Sequence, residues 1–186
     1  MSRTAESGTR DRILATARDL FGAHTYGATS MRQVAEGVGI TKASLYHHFT
    51  SKAEILAELI DPPVSELGTA IEAAEQLTSL AARQQALLEG CIDAMLRHRE
   101  TMALLLKDAS VYGDQTLDAM DRVVGFSQRA VAVLAGPRPN RRQRIRAAQA
   151  FAAATDPISQ FADVPVELLR AELLAGALAV LSHNAP

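Results

Sequence analysis

Cysteine is nearly absent from these 186 residues, and tryptophan is missing altogether. The lone Cys91 has no partner for an internal disulfide, so a reducing cytoplasm is the simplest setting. Long apolar runs are lacking too. The longest, Leu173 to Leu181, falls well short of the roughly 20 residues that span a bilayer. The polar start MSRTAESGTRDR has none of the apolar core a secretory signal carries. A soluble, cytoplasmic chain with no membrane partner is the expectation. There is also no Gly-rich phosphate loop, no nucleophile elbow and no HExxH, so enzymatic chemistry has no recognisable constellation. Neither a metal nor a cofactor is expected. Neighbours such as His47 and His48 point about 100° apart on a helix, and Cys91 and His98 would sit roughly 10.5 Å apart along one.

What is present favours helix. Apolar residues make up 48% of the chain, with Ala and Leu prominent, enough for a core of ordinary size. The net charge of −2 hides an asymmetry. Residues 1–52 carry seven basic groups (Arg3, Arg10, Arg12, Arg18, Arg32, Lys42, Lys52) against four acidic ones, a balance of +3. The remainder carries twelve against seventeen, a balance of −5. A basic front on an acidic body suggests an anionic partner for the front alone.

The first sixty residues are punctuated like a chain of short helices. From Thr9, apolar Ile13, Leu14, Ala17, Leu20 and Phe21 recur at helical spacing, with Gly22 as the predicted end. Ser30 and Gln33 have capping-box spacing, which starts a short helix that ends near Gly37. Gly39 falls in the turn that follows. Thr41 is placed to cap a third helix, KASLYHHF, anchored by Leu45 and Phe49, and Ser51 to cap a fourth. Short helix, glycine turn, short helix behind a longer one is the pattern of a helix-turn-helix DNA reader. With Leu45 and Phe49 inward, Ala43, Ser44 and His47 fall on the outer face and Tyr46 on the flank. A small residue at 43 allows close approach to base edges, and Lys42 can donate to guanine in the major groove. Thr41, Tyr46 and His47 can donate to phosphates.

From about Thr9 to Leu56 the chain resembles the TetR family of one-component transcriptional regulators. The likeness is carried by LFGAH, YGATSMRQVAEGVGI and TKASLYHHFTSKAEIL at these separations. Position by position, the resemblance implies base contacts from Arg32, Lys42, Ala43 and Ser44. It implies phosphate contacts from Thr29, Thr41, Tyr46, His47, His48 and Lys52. It further implies an all-α fold with a three-helix reader at 1–56 and a helical bundle at 57–186 for effector binding and dimerisation. A homodimer on a palindromic double-stranded operator, released by a small-molecule effector, would act as a repressor. The alternative is a helical ligand-binding or adaptor protein that does not act on DNA. Lys42, Tyr46, His47 and Lys52 together weigh against it.

Beyond the reader, Asp61-Pro62-Pro63 predicts a break in the fourth helix, where the resemblance implies an unbroken one. Further helices are expected at about 64–77, 80–97, 99–111, 115–135, 140–160 and 164–183. The segment 173–181 is apolar around its whole circumference and so predicts burial on two sides. That suggests a subunit interface, with Phe151, Leu173, Leu174, Ala177, Leu178 and Leu181 as its residues. An effector cavity, if the resemblance extends to the body, would draw on Met95, His98, Met102, Leu105, Tyr112, Met120, Phe126 and Phe151. The arginines at 138, 141, 142, 144 and 146 read as a solvated helix end.

Overall fold

The computed structural model describes residues 2–111, 117–161 and 163–182, and the side chains of all of these except 2–7, 105–107 and 118–120. Among the described residues every regular element is helical. The elements run α1 (Ser2–His24), α2 (Met31–Val38), α3 (Lys42–His48), α4 (Lys52–Glu75), α5 (Leu80–Arg97), α6 (Arg99–Lys107), α7 (Leu117–Ala135), α8 (Arg141–Thr155) and α9 (Val166–Ser182). Single 3₁₀ turns follow α6 and α8. The chain clusters into two compact units. One holds residues 1–62 with 103–120, the other 63–102 with 121–186.

The first unit is built on α1, whose Ile13, Ala17 and Phe21 form a fully covered stripe at i, i+4, i+8. Onto it fold Val34, Ala35 and Val38 of α2, Leu45 of α3, Phe49 just beyond α3, and Ile55 and Leu56 of α4. The expected caps are formed. Ser30 and Gln33 make a reciprocal box, Thr41 accepts from the Ser44 N–H, and Ser51 accepts from the Glu54 N–H. Gly39 takes φ 77°, the left-handed conformation that lets the chain turn at once from α2 to α3.

Three expectations are corrected. The first helix begins at Ser2 rather than near Thr9, since no proline interrupts those residues, and it runs past Gly22 to His24. The reversal is made instead by Thr25, at φ 71°. The pair Pro62-Pro63 does not end α4, which continues to Glu75. Leu56, Ile60, Pro63, Leu67, Ile71 and Ala74 are all buried at helical spacing, so one apolar stripe crosses the proline pair. Packing along that stripe outweighs the lost N–H donors, a local cost of roughly 3 kcal/mol. Finally, the helix expected over 140–160 stops at Thr155, because Pro157 opens a 3₁₀ turn.

In the second unit, α8 lies against both α9 and α5. Its covered face is alanine at 147, 150 and 154, which lets the helices approach closely. Helix α5 supplies Leu87, Leu88, Cys91, Ile92 and Met95 to the core. On its α4 side, a Cβ at Gly90 would stand 2.7 Å from that of Ala70. Burial pushes the Cys91 thiol up to about 12, which makes it a small packed group at neutral pH. Helix α9 covers only Leu169, Leu173 and Ala177, while Leu174, Leu178 and Leu181 remain half-buried. No helix among the described residues is long and apolar enough to cross a membrane.

Candidate nucleic-acid interface

Helix α3 is only seven residues long, and its burial pattern divides it sharply. Leu45 is fully covered, as is Phe49 at its C-cap. Thr41, Lys42, Ala43, Tyr46 and His47 are exposed, and Ser44 and His48 are half-buried. Small Ala43 thus sits on the open face beside Lys42, whose ammonium lies 5.7 Å from the centre of the Tyr46 ring. The Thr41 oxygen accepts from Ser44 and keeps its own proton free to donate. His47 and His48 meet edge to face at 5.8 Å and do not converge on a common point. Among the described residues, no group of three or more His, Cys, Asp or Glu is placed to hold a metal ion. Arg32, on the exposed face of α2, donates to Glu36 at 2.7 Å.

Two expected phosphate contacts have other partners. Thr29 is 1% exposed, and its hydroxyl donates to the Thr25 carbonyl at 2.8 Å, with that of Leu20 at 3.3 Å. It is an internal tie of the α1–α2 loop. Lys52 donates to the carbonyls of Tyr26 and Thr29 at 2.6 and 2.7 Å, with its ammonium 4.3 Å from the Tyr26 ring centre. Burial draws its pKa down, and the Asp108 charge works against that shift. Lys52 therefore fastens the loop to the start of α4, and its donors are already engaged.

Several structural residues of this site carry no local signal. Asp108 accepts from the Tyr26 N–H at 2.5 Å, and the Ser110 hydroxyl accepts from the Gly27 N–H at 2.7 Å. A side chain at Gly27 would stand 2.9 Å from the Ser110 Cβ, so the approach needs glycine. Asp108 is buried, which by itself pushes its pKa up. Bonds from Ser110 and from the Tyr26 N–H outweigh that and hold the carboxyl below its ordinary value. Arg10 and Arg12 of α1 reach the ends of α3 and α2, donating to the carbonyls of His48 and Val38, each at 2.7 Å. These partners lie 26 to 83 residues apart in sequence, beyond the reach of any spacing rule.

In the second unit, Met95, Met102 and Phe126 are buried, and Phe126 lies 6.1 Å from Phe151. His98 is half-buried and engaged. Its Nε2 pairs with Glu66 at 2.8 Å, and Arg97 takes the other carboxylate oxygen. The Leu105 and Met120 side chains and all of Tyr112 lie outside the described residues. Surface cavities of 480, 460 and 420 Å³ are lined respectively by Arg146, Gln149, Ala179 and Val180, by Val131, Arg141, Arg144, Ile145 and Ala148, and by Asp93, Leu96, Arg97, Val166, Glu167 and Arg170. None of these three contains an expected effector residue.

A capped α2, a left-handed glycine and an outward α3 on a longer α1 define a helix-turn-helix domain on an all-helical body. Residues 13–59 match the family of bacterial regulatory proteins called the tetR family. Over 51 residues the chain is 43% identical to the HTH-type transcriptional repressor KstR2 of Mycobacterium tuberculosis, covering 27% of this chain and 26% of that protein. Over 58 residues it is 34% identical to the HTH-type transcriptional regulator UidR of Escherichia coli, covering 31% of this chain and 30% of that one. The matched segment thus spans about a quarter to a third of these curated relatives. The fold extends further. AmtR of Mycobacterium smegmatis superposes with a TM-score of 0.78 at 28% identity, over 95% of this chain and 87% of its own. PfmR of Thermus thermophilus, a TetR family transcriptional regulator, gives 0.73 at 23% identity, over 94% and 100%, a likeness of fold alone. Residues 13–59 thus match the N-terminal domain of the tetR family, and the fold shared with AmtR and PfmR extends along nearly the whole chain.

Proposed function

We propose that this chain is a DNA-binding transcriptional repressor that acts as a homodimer on a palindromic operator and is released by a small-molecule effector. The observation that carries the reading is the outer face of α3. Lys42, Ala43, Tyr46 and His47 are all exposed on one short helix whose opposite side is locked into the core. A helix so presented can enter the major groove, with Lys42 on guanine, Ala43 and Ser44 against base edges, and Arg32 joining from α2. Thr41, Tyr46, His47 and His48 would hold the flanking phosphates. Thr29 and Lys52 have no part in this set.

Reading DNA is assigned to residues 1–56, and effector binding and dimerisation to 57–186. The incompletely covered α9, with Leu168 at 54% exposure and Ile145 of the adjoining α8 at 59%, suits a second copy as partner. Phe151, Leu174, Leu178 and Leu181 would join that contact, while Leu173 and Ala177, also expected there, are covered within the chain itself. An effector held among Met95, His98, Met102, Phe126 and Phe151 would act through its differential affinity for two conformations. The test is enrichment of duplexes from a random-sequence pool by the full chain, followed by footprinting on the enriched sequence. Two protected half-sites about one helical turn apart are expected. If no sequence is enriched, the reading falls.

A further inference from the structure

A seven-residue helix does not hold itself in place. It is too short to be stable alone, and its last carbonyls have no partner within it. What its ends are tied to therefore sets its direction. At the C-terminus of α3 the tie is Arg10 of α1, whose Nη1 donates to the carbonyl of His48, the last residue of the helix. A guanidinium there also opposes the negative end of the helix dipole.

Arg10 is itself fixed from a third helix. Its Nε donates to Glu58 Oε1 of α4 at 2.8 Å, and its Nη2 donates to the other carboxylate oxygen. The guanidinium carbon stands 4.1 Å from the centre of the Phe49 ring. The paired bonds to Glu58 and the stacking on Phe49 define the plane of the guanidinium, which leaves Nη1 a single direction, toward the His48 carbonyl. Arg12 makes the matching contact at the last residue of α2, Val38. The two arginines thus close off both helices of the helix-turn-helix from the α1 side.

We propose that Arg10 is a positioning residue for α3. The chain Glu58–Arg10–His48 carbonyl carries the seat of α4 to the end of the reading helix, and Arg10 performs this without touching DNA. The proposal rests on α3 being the reading helix. The competing role for an arginine on the basic front is a phosphate contact, and the two differ in the sign of a simple experiment.

The full chain is compared with its Arg10→Lys and Glu58→Gln variants on two duplexes of equal length: one enriched by the wild type from a random pool, and a scrambled version. Lysine keeps the charge but not the planar fork, and glutamine removes a negative charge near the interface. Positioning predicts that each variant loses about tenfold or more on the enriched duplex while the scrambled duplex changes by less than about twofold and the salt slope stays constant. A phosphate contact predicts that Arg10→Lys binds like wild type and that Glu58→Gln binds both duplexes more tightly. That result overturns the proposal, as does an equal loss on both duplexes. Amide exchange in the free protein tests the anchor without DNA. Residues 45–49 should exchange at least about fivefold faster in both variants, with 31–38 unchanged. Unchanged exchange at 45–49, or faster exchange with unaltered affinity for the enriched duplex, refutes the assignment. If the wild type enriches no sequence, the DNA reading fails by itself, and the exchange rates still decide whether Arg10 anchors α3.

Discussion

Lys42 and Lys52 stand ten residues apart, each one residue after a helix cap, and they have opposite fates. Lys42 lies on the exposed face of α3, its ammonium 5.7 Å from the centre of the Tyr46 ring. Lys52 starts α4 and turns inward, where the carbonyls of Tyr26 and Thr29 take its protons. The same division runs through three arginines of the basic front. Arg10 closes the end of α3, Arg12 closes α2, and Arg32 pairs with Glu36. A surplus of positive charge in a reader domain is thus partly scaffolding. Only where the helix face is open is that charge left free for the anion proposed above.

The sharpest way to break this contrast is Lys52→Met. If Lys52 is a tie, the variant leaves two carbonyls without their charged donor, and the unfolding free energy should fall by about 1.5–3 kcal/mol. Chemical denaturation measures this. The salt slope of DNA binding should not move. If Lys52 instead grips a phosphate, stability will hold and the slope will shrink by about 0.9.

Lys42→Ala should do the reverse. An exposed side chain with no protein hydrogen bond contributes little to folding, so the melting curve should shift by no more than about 0.5 kcal/mol. Affinity for the enriched duplex should drop by about 1–3 kcal/mol, with relaxed preference at one base pair. Selection repeated with the variant would show that position becoming degenerate. A variant that keeps its full preference would remove Lys42 from the base contacts.

Acid should weaken the inner set through Asp108. Its carboxyl is held below the ordinary 3.8 because the bonds from Ser110 and Tyr26 outweigh its burial. The folded state therefore gives up that proton more readily than the unfolded chain does. The stabilisation is complete above 3.8 and fades as pH falls through the lower folded value. Wild-type stability should fall more steeply below about pH 4 than that of Asp108→Asn, measured by thermal melts across the range. Parallel curves would mean that the loop does not depend on this charge.

Much of this is legible in the sequence alone. The capping box at Ser30 and Gln33, the cap at Thr41, the turn at Gly39 and the inward Leu45 and Phe49 all follow from spacing within a few residues. Local chemistry decides such features, and local sequence records them. What the sequence does not show is non-local. The loop carbonyls that take the protons of Thr29 and Lys52 could not be inferred from spacing. Arg10, Asp108 and Ser110 went unnoticed because each meets a residue at least 38 positions away. Pro62-Pro63 misled for a related reason. A proline rule is local, whereas the buried stripe from Leu56 to Ala74 that overrides it is a property of packing.

The smallest expected effect tests the boundary between the two regions. Arg32 is paired like the inner arginines, yet its side chain is 79% exposed and that of Glu36 is 60% exposed. The pair lies within a single helix, at i and i+4, and joins nothing across the fold. Water screens it on all sides, so the bond should add little to folding. On the proposed reading face its role would differ, because Glu36 would compete with DNA for the same guanidinium. Glu36→Gln should leave the melting curve where it is and bind DNA slightly more tightly, with the gain shrinking as salt is raised. Titrations at two salt concentrations would measure that gain. A loss of stability in this variant would place Arg32 with the scaffold arginines, and the open face of the reader would then be confined to α3.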